Sequence, residues 1–143
     1  MWKGSGIALE EGLANVAFLR TYMLELEKFF SSGEVSDIWI TFPDPRPRSR
    51  DEKRRLTSPR FLEIYKNILK HDGWIRLKTD NTALFEYTLE VLESRNDIRD
   101  FSYTFDLYSS EMEEENHGIK TRYEQLFTKE GNKIKYLKFR YIT

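Results

Sequence analysis

Asp37-Ile-Trp-Ile-Thr-Phe-Pro-Asp-Pro45 is the stretch on which the architecture turns. Ile38 to Phe42 are β-branched or aromatic without exception, the composition of a buried strand. Pro43 and Pro45 stop that strand, because proline has no N–H to give a sheet ladder and fixes φ. With Pro47, they exclude both helix and central strand across Pro43-Asp-Pro-Arg-Pro-Arg-Ser-Arg50. Asp44 is thereby held between two prolines directly beyond a strand end, a place where an acid has little conformational freedom.

Reading outward gives alternating elements on both sides. Toward the N-terminus, residues 5–13 read as a helix ending near Gly12. Val16-Ala-Phe-Leu19 reads as a short apolar strand, and Met23, Leu26, Phe29 and Phe30 recur at helical spacing until Ser31-Ser-Gly33. Toward the C-terminus, Ser58-Pro59 is a hydroxyl N-cap followed by proline at the first helical position, opening a helix striped by Phe61, Leu62, Tyr65, Ile68 and Leu69. His71-Asp-Gly73 turns the chain into a strand at Trp74-Ile-Arg-Leu-Lys-Thr79. Asp80-Asn81 then opens a helix with the stripe Leu84, Phe85, Thr88, Leu89 and Leu92. Residues 101–107 alternate as a strand, 109–118 are an acidic polar stretch, 121–129 a last helix and 133–141 a last strand. This order predicts an α/β layered sheet, parallel at least in its middle. Ligands of such sheets bind beyond the carboxyl ends of the strands. Phe42 and Thr79 are the ends of interest, since acids follow both.

The 143 residues, 39% apolar and 15% aromatic, suffice for one packed domain and are too apolar for a disordered chain. A net charge of −1 excludes a globally basic nucleic-acid binder, though not a local basic patch. The absence of cysteine excludes a disulfide scaffold and a thiolate metal site. No run approaches a membrane span and no secretory leader is visible, so a cytoplasmic protein with no membrane partner is expected. His71 and His117 have no partner at metal-ligand spacing, and no metal site is expected.

Residues 43–60 concentrate charge: Arg46, Arg48, Arg50, Lys53, Arg54, Arg55 and Arg60 stand against Asp44, Asp51 and Glu52. Arginine forks match phosphate oxygens, so a basic segment beside a strand end suits contact with a nucleic-acid backbone. The same residues also read as a solvated charged loop. Asp44 reads equally as a turn former or an arginine partner, and Asp80 or Asn81 as a helix N-cap. Thr121-Arg-Tyr-Glu124 fits a capping box.

Four motifs in order, Ile-Thr-Phe-Pro-Asp-Pro at 40–45, Lys-Arg-Arg-Leu-Thr at 53–57, Lys-Thr-Asp-Asn at 78–81 and Thr-Arg-Tyr-Glu at 121–124, closely resemble the bacterial tRNA (guanine-N7-)-methyltransferase family. The resemblance runs from about Trp2 to Tyr141. It implies a class I, Rossmann-like methyltransferase sheet with helices on both faces and strand order 3-2-1-4-5-7-6. The implied activity is transfer of a methyl group from S-adenosylmethionine to guanine N7 in the variable loop of tRNA. By position it makes Asp44 the catalytic acid, also at the cofactor's edge. Arg48, Asp80, Thr121, Arg122, Tyr123 and Glu124 become substrate-binding residues, and Arg50, Asp51, Glu52, Lys53, Arg54 and Arg55 the RNA-contacting segment.

Two departures accompany the resemblance. The family's first sheet strand, glycine-rich cofactor loop and ribose-gripping acid have no counterpart here, and Gly4-Ser-Gly6 follows no strand and lacks the G-x-G-x-x-G pattern. Tyr22 stands where many members carry an aspartate near the adenine. Residues 1–143 are therefore expected to form a single partial methyltransferase domain, truncated at the N-terminus, without strands 1 and 2. Residues 37–42 would then lack a neighbour on one side, to be covered by residues 16–19 or by a second copy in a homodimer. The rival readings are a non-catalytic tRNA-binding remnant and a fragment without the cofactor site. The chain is expected to bind S-adenosylmethionine very weakly in calorimetry, and low-micromolar binding would show a rebuilt cofactor site.

Overall fold

Alternation of side chains along the strands decides which way the sheet faces. In the computed structural model, which describes residues 2–142, the strands are β1 (Ile38–Thr41), β2 (Ile75–Thr79), β3 (Ile98–Thr104) and β4 (Lys135–Tyr141). They form one sheet in the order β1-β2-β4-β3. β1 and β2 are parallel, and β4 is antiparallel to both β2 and β3. This is the 4-5-7-6 part of the implied order, with the last strand antiparallel as expected. Among the described strands only β1 and β2 pair in parallel, narrower than a parallel middle, with one isolated parallel bridge between Val35 and Leu69.

Register places Ile40 beside Leu77 and Leu77 beside Leu137, with Ile75 beside Phe139 one step away. Helices α2 (Pro59–Ile68) and α3 (Thr82–Glu93) cover this face through Phe61, Leu62, Tyr65, Phe85, Leu89 and Leu92. Each such burial is worth about 1.5–3 kcal/mol, and this layer is the main core. Trp39, Arg76, Lys78, Tyr136 and Lys138 occupy the other face. That side carries 3₁₀ turns at Leu107–Ser109 and Glu111–Asn116, and α4 (Arg122–Lys129) touches it at Lys78. A smaller cluster of Leu107, Ile134 and Tyr136 seals it.

Several sequence expectations are corrected. Residues 16–19 form no strand; Val16 and Phe18 are 47% and 46% exposed. In the implied order a third strand pairs only with a second, and the described residues hold no such ladder for it to join. It does not slide beside β1, whose outer edge meets no strand among the described residues. The first helix, α1, spans Trp2–Glu10, and Met23–Lys28 tightens into a 3₁₀ helix. The segment after the prolines is not all loop: past Pro47 the N–H groups are available again, and Ser49–Arg54 closes into a 3₁₀ turn. β3 begins at Ile98 and ends at Thr104, where the Thr104 hydroxyl accepts from the Asp106 N–H and turns the chain, leaving Leu107 to fill the second cluster. α2 starts at Pro59, but the Ser58 hydroxyl donates to the Lys53 carbonyl instead of capping.

Gly73 sits where two backbones converge before β2. A Cβ there would lie 2.4 Å from the Ser36 carbonyl oxygen and 2.8 Å from Leu69 Cγ, and a backbone oxygen cannot swing aside. Gly73→Ala is expected to cost about 1–3 kcal/mol in urea denaturation. Gly6→Ala, in α1 with open space around it, should be neutral or stabilising by up to about 1 kcal/mol.

Candidate functional site

Parallel pairing brings the carboxyl ends of β1 and β2 side by side: Thr41 lies opposite Lys78, and the Phe42 N–H donates to the Lys78 carbonyl at 2.8 Å. Phe42 and Arg46 then adopt left-handed φ of 49° and 46°, backbone that a non-glycine residue holds only under constraint. Asp44 lies between them, exposed. Its Oδ1 accepts the Arg46 N–H at 3.1 Å and its Oδ2 meets Arg46 Nε at 3.0 Å. Asp44 thus closes an Asx-type turn and pairs with its neighbour, the two alternatives open from sequence.

At the end of β2 the labour is divided. Asn81 caps α3, accepting the Leu84 N–H at 2.8 Å. Asp80 is half-buried, and its backbone carbonyl accepts from Lys135 Nζ at 2.9 Å. Among the described residues its carboxylate has no hydrogen-bond partner.

Thr121 and Glu124 form the capping box, with Glu124 accepting the Thr121 N–H at 3.0 Å and Thr121 the Glu124 N–H at 3.1 Å. Glu124 is also fully buried. Lys78 Nζ donates to both its oxygens, at 2.9 and 3.2 Å, and to Asn116 Oδ1 at 2.6 Å. The Tyr108 hydroxyl donates to Glu124 as well, and burial followed by that carboxylate pushes the Tyr108 hydroxyl above its ordinary pKa. Lys78, Tyr108 and Asn116 did not stand out as site residues from sequence. The available signal was the alternation Ile75-Arg76-Leu77-Lys78, which puts both cations of β2 on the face opposite its aliphatic residues.

Tyr123 packs on Phe42 with ring centres 5.4 Å apart. The motifs at 40–45, 78–81 and 121–124 therefore meet at one corner of the sheet, through Phe42, Lys78, Tyr123 and Glu124. Beside them lies a cavity of about 250 Å³ lined by Trp39, Thr41, Lys78, Asn116, Ile119 and Thr121. Arg122 is exposed at this corner. Arg48, Arg50, Lys53 and Arg60 are exposed with no acidic partner among the described residues, whereas Arg54 pairs with Asp51 at 3.2 Å. Arg55 donates to the Arg46 carbonyl at 3.1 Å and lies 4.3 Å from the centre of the Tyr87 ring.

Gly4 and Gly6 lie inside α1, so neither forms a turn at a strand end. Among the described residues no glycine turn of the kind that cradles a nucleotide cofactor follows a strand, and no cluster of three or more His, Asp or Glu residues suits a metal ion. No described helix is long and apolar enough to cross a membrane.

Removing one member of a buried ion pair strands the other, at a cost of about 3–5 kcal/mol. Lys78→Met should destabilise the chain by roughly that amount in chemical denaturation, and the double variant Lys78→Met/Glu124→Leu by clearly less than the sum.

The chain matches the family model Methyltransf_4, described as "Putative methyltransferase", over residues 6–137. It is 47% identical to the tRNA (guanine-N(7)-)-methyltransferase of Cytophaga hutchinsonii, with 99% of this chain and 65% of the relative covered. It is 46% identical to the tRNA (guanine-N(7)-)-methyltransferase of Bacteroides thetaiotaomicron, with 98% and 54% covered. The chain thus spans less than two thirds of the length of these relatives. In fold it is similar to a SAM dependent methyltransferase from Archaeoglobus fulgidus known from its crystal structure, at a TM-score of 0.50 and 10% identity over 96% of this chain and 80% of that one. A sheet order that fits the class I methyltransferase fold and a family match over most of its length make this chain a member of the Methyltransf_4 methyltransferase family.

Proposed function

We propose that this chain supplies the RNA- and guanine-binding side of a cytoplasmic, S-adenosylmethionine-dependent methyltransferase acting on guanine N7 in the variable loop of tRNA. The observation that carries the reading is the convergence of Asp44, Asp80 and the start of α4 on the carboxyl ends of two parallel strands, beside an exposed basic segment. The names of the 47% and 46% identical relatives support the same substrate.

The chemistry suits these groups. Guanine N7 carries an available lone pair, so no strong base is required to uncover the nucleophile. Positive charge grows on the purine as N7 acquires a methyl group, and the Asp44 carboxylate, oriented in advance by Arg46, stabilises it. The Asp80 carboxylate, without a hydrogen-bond partner among the described residues, is the acceptor for guanine N1–H and N2–H₂, a donor pair that no other base presents in that pattern. Glu124, whose oxygens already serve Lys78, Tyr108 and the Thr121 N–H, sets the placement of Thr121, Arg122 and Tyr123 around the base. Arg48 and the segment 50–55 form the basic surface that faces the RNA backbone, with its exposed cations Arg48, Arg50, Lys53 and Arg54 outermost. Asp44 reaches the edge of the S-adenosylmethionine site. The described residues hold no glycine turn of the kind that cradles this cofactor.

The exposed cations Arg48, Arg50 and Lys53, without acidic partners among the described residues, also suit a second reading, a tRNA-binding module without transfer activity. Binding of S-adenosylmethionine separates the two, since a pure RNA module shows none. For the RNA surface, log–log plots of tRNA affinity against salt should flatten by roughly 0.7–0.9 per phosphate contact removed. Lys53→Ala/Arg54→Ala should weaken binding to many tRNAs alike and flatten the slope by up to two such steps. Unchanged affinity and slope would leave the segment as a solvated face.

A further inference from the structure

Ser49–Arg54 is a turn of Ser, Arg, Asp, Glu, Lys and Arg with no buried residue. Such a sequence has nothing of its own to pack, and ordering it only on contact with a ligand would cost affinity. In this chain it is already fixed, and the fixing comes from outside the turn. The Tyr87 hydroxyl of α3 donates to Glu52 Oε1 at 3.1 Å, and the Arg55 guanidinium lies 4.3 Å from the centre of the same ring. One aromatic side chain therefore grips an acid and a base that flank the turn's last residues. Burial, and then Glu52, push the Tyr87 hydroxyl up to about 12, so it stays a neutral donor across the physiological range. Arg55 Nε donates to the Arg46 carbonyl, tying the far end of the segment back to the Asp44 turn. Behind it, the Tyr65 hydroxyl donates to the Leu56 carbonyl at 3.0 Å, and the buried Thr57 and Thr88 hydroxyls meet at 2.7 Å.

We propose that Tyr87 and Arg55 are a positioning pair: they hold residues 49–54 in the RNA-competent conformation, while the phosphates are met by Arg50, Lys53 and Arg54 and not by Arg55. This deepens the RNA-binding reading above and rests on it. The Arg55 guanidinium spends one donor on a carbonyl and one face on Tyr87. Lys53 and Arg50 are exposed cations with no acidic partner among the described residues.

Salt dependence distinguishes a group that positions from a group that contacts phosphate, because only the second releases counterions. The test is equilibrium tRNA binding over a salt series by the wild-type chain and by Tyr87→Leu, Arg55→Ala, Lys53→Ala and Tyr87→Leu/Arg55→Ala, each checked for an unchanged thermal melt. Tyr87→Leu and Arg55→Ala should each weaken binding roughly three- to tenfold at every salt concentration, with slopes parallel to wild type. The double variant should bind no more weakly than the worse single one. Lys53→Ala should flatten the slope. Amide hydrogen exchange over residues 49–55 should quicken in Tyr87→Leu and stay unchanged in Lys53→Ala. Wild-type affinity in Tyr87→Leu, or an Arg55→Ala slope as flat as that of Lys53→Ala, overturns the pair while leaving the RNA reading intact. Absence of salt-dependent tRNA binding by the wild-type chain overturns the RNA reading, and the positioning role with it.

Discussion

A single buried ammonium group ties together the corner on which the proposed function rests. Lys78 Nζ, on a side chain only 3% exposed, is surrounded by Asn116 and both oxygens of Glu124. Removed from water, neither charge is tolerable without the other, so β2, the 3₁₀ turn at Glu111–Asn116 and the start of α4 must arrive at one point together. Tyr108 and the Thr121 N–H use the remaining acceptor positions of Glu124. The result is a fully satisfied polar network, the kind that rigidifies instead of weakening its surroundings. Asp80 lies two residues beyond Lys78 and takes its place from the same anchor.

The sheet makes that anchor useful. β1 and β2 run parallel, so the chain leaves both at the same edge, and Asp44 and Asp80 follow neighbouring strand ends. Antiparallel pairing of these two strands would have sent the acids to opposite ends of the sheet. β4, inserted antiparallel between β2 and β3, returns the chain beside β2 and brings Lys135 to the Asp80 carbonyl. The faces divide the work, with aliphatic packing under α2 and α3 on one side and a polar, cation-rich surface on the other.

Much of this was legible along the chain because it depends on local rules. The apolar stripe of α3, the Thr121–Glu124 capping box and the strand before Pro43 each follow from side-chain spacing or backbone chemistry within a few residues. The turn at Ser49–Arg54 and the start of β3 at Ile98 were not legible: the turn carries no periodic signal, and the alternation read at 101–107 misses the strand's first three residues and runs three past its end. Residues 16–19 show the opposite failure. Their apolar composition suits a strand, yet a strand is a property of a ladder, and without a neighbour to bond the same residues form none and stay half-exposed.

The sequence by itself determined the α/β alternation, the helix starts at Pro59, Thr82 and Arg122, the concentration of arginine after the prolines and the acids placed at two strand ends. Each is fixed by dihedral limits, capping or periodicity that the chain carries locally. Only the tertiary structure decided that Glu124 faces Lys78 in the interior, that Asp44 is held by Arg46 while the Asp80 carboxylate meets no partner among the described residues, and that Tyr87 grips the basic turn. The Lys78–Glu124 and Tyr87–Glu52 contacts join residues 46 and 35 positions apart. A charge buried by a distant element has no local signature: its partner is set by where the sheet register and the helix packing bring the chain back.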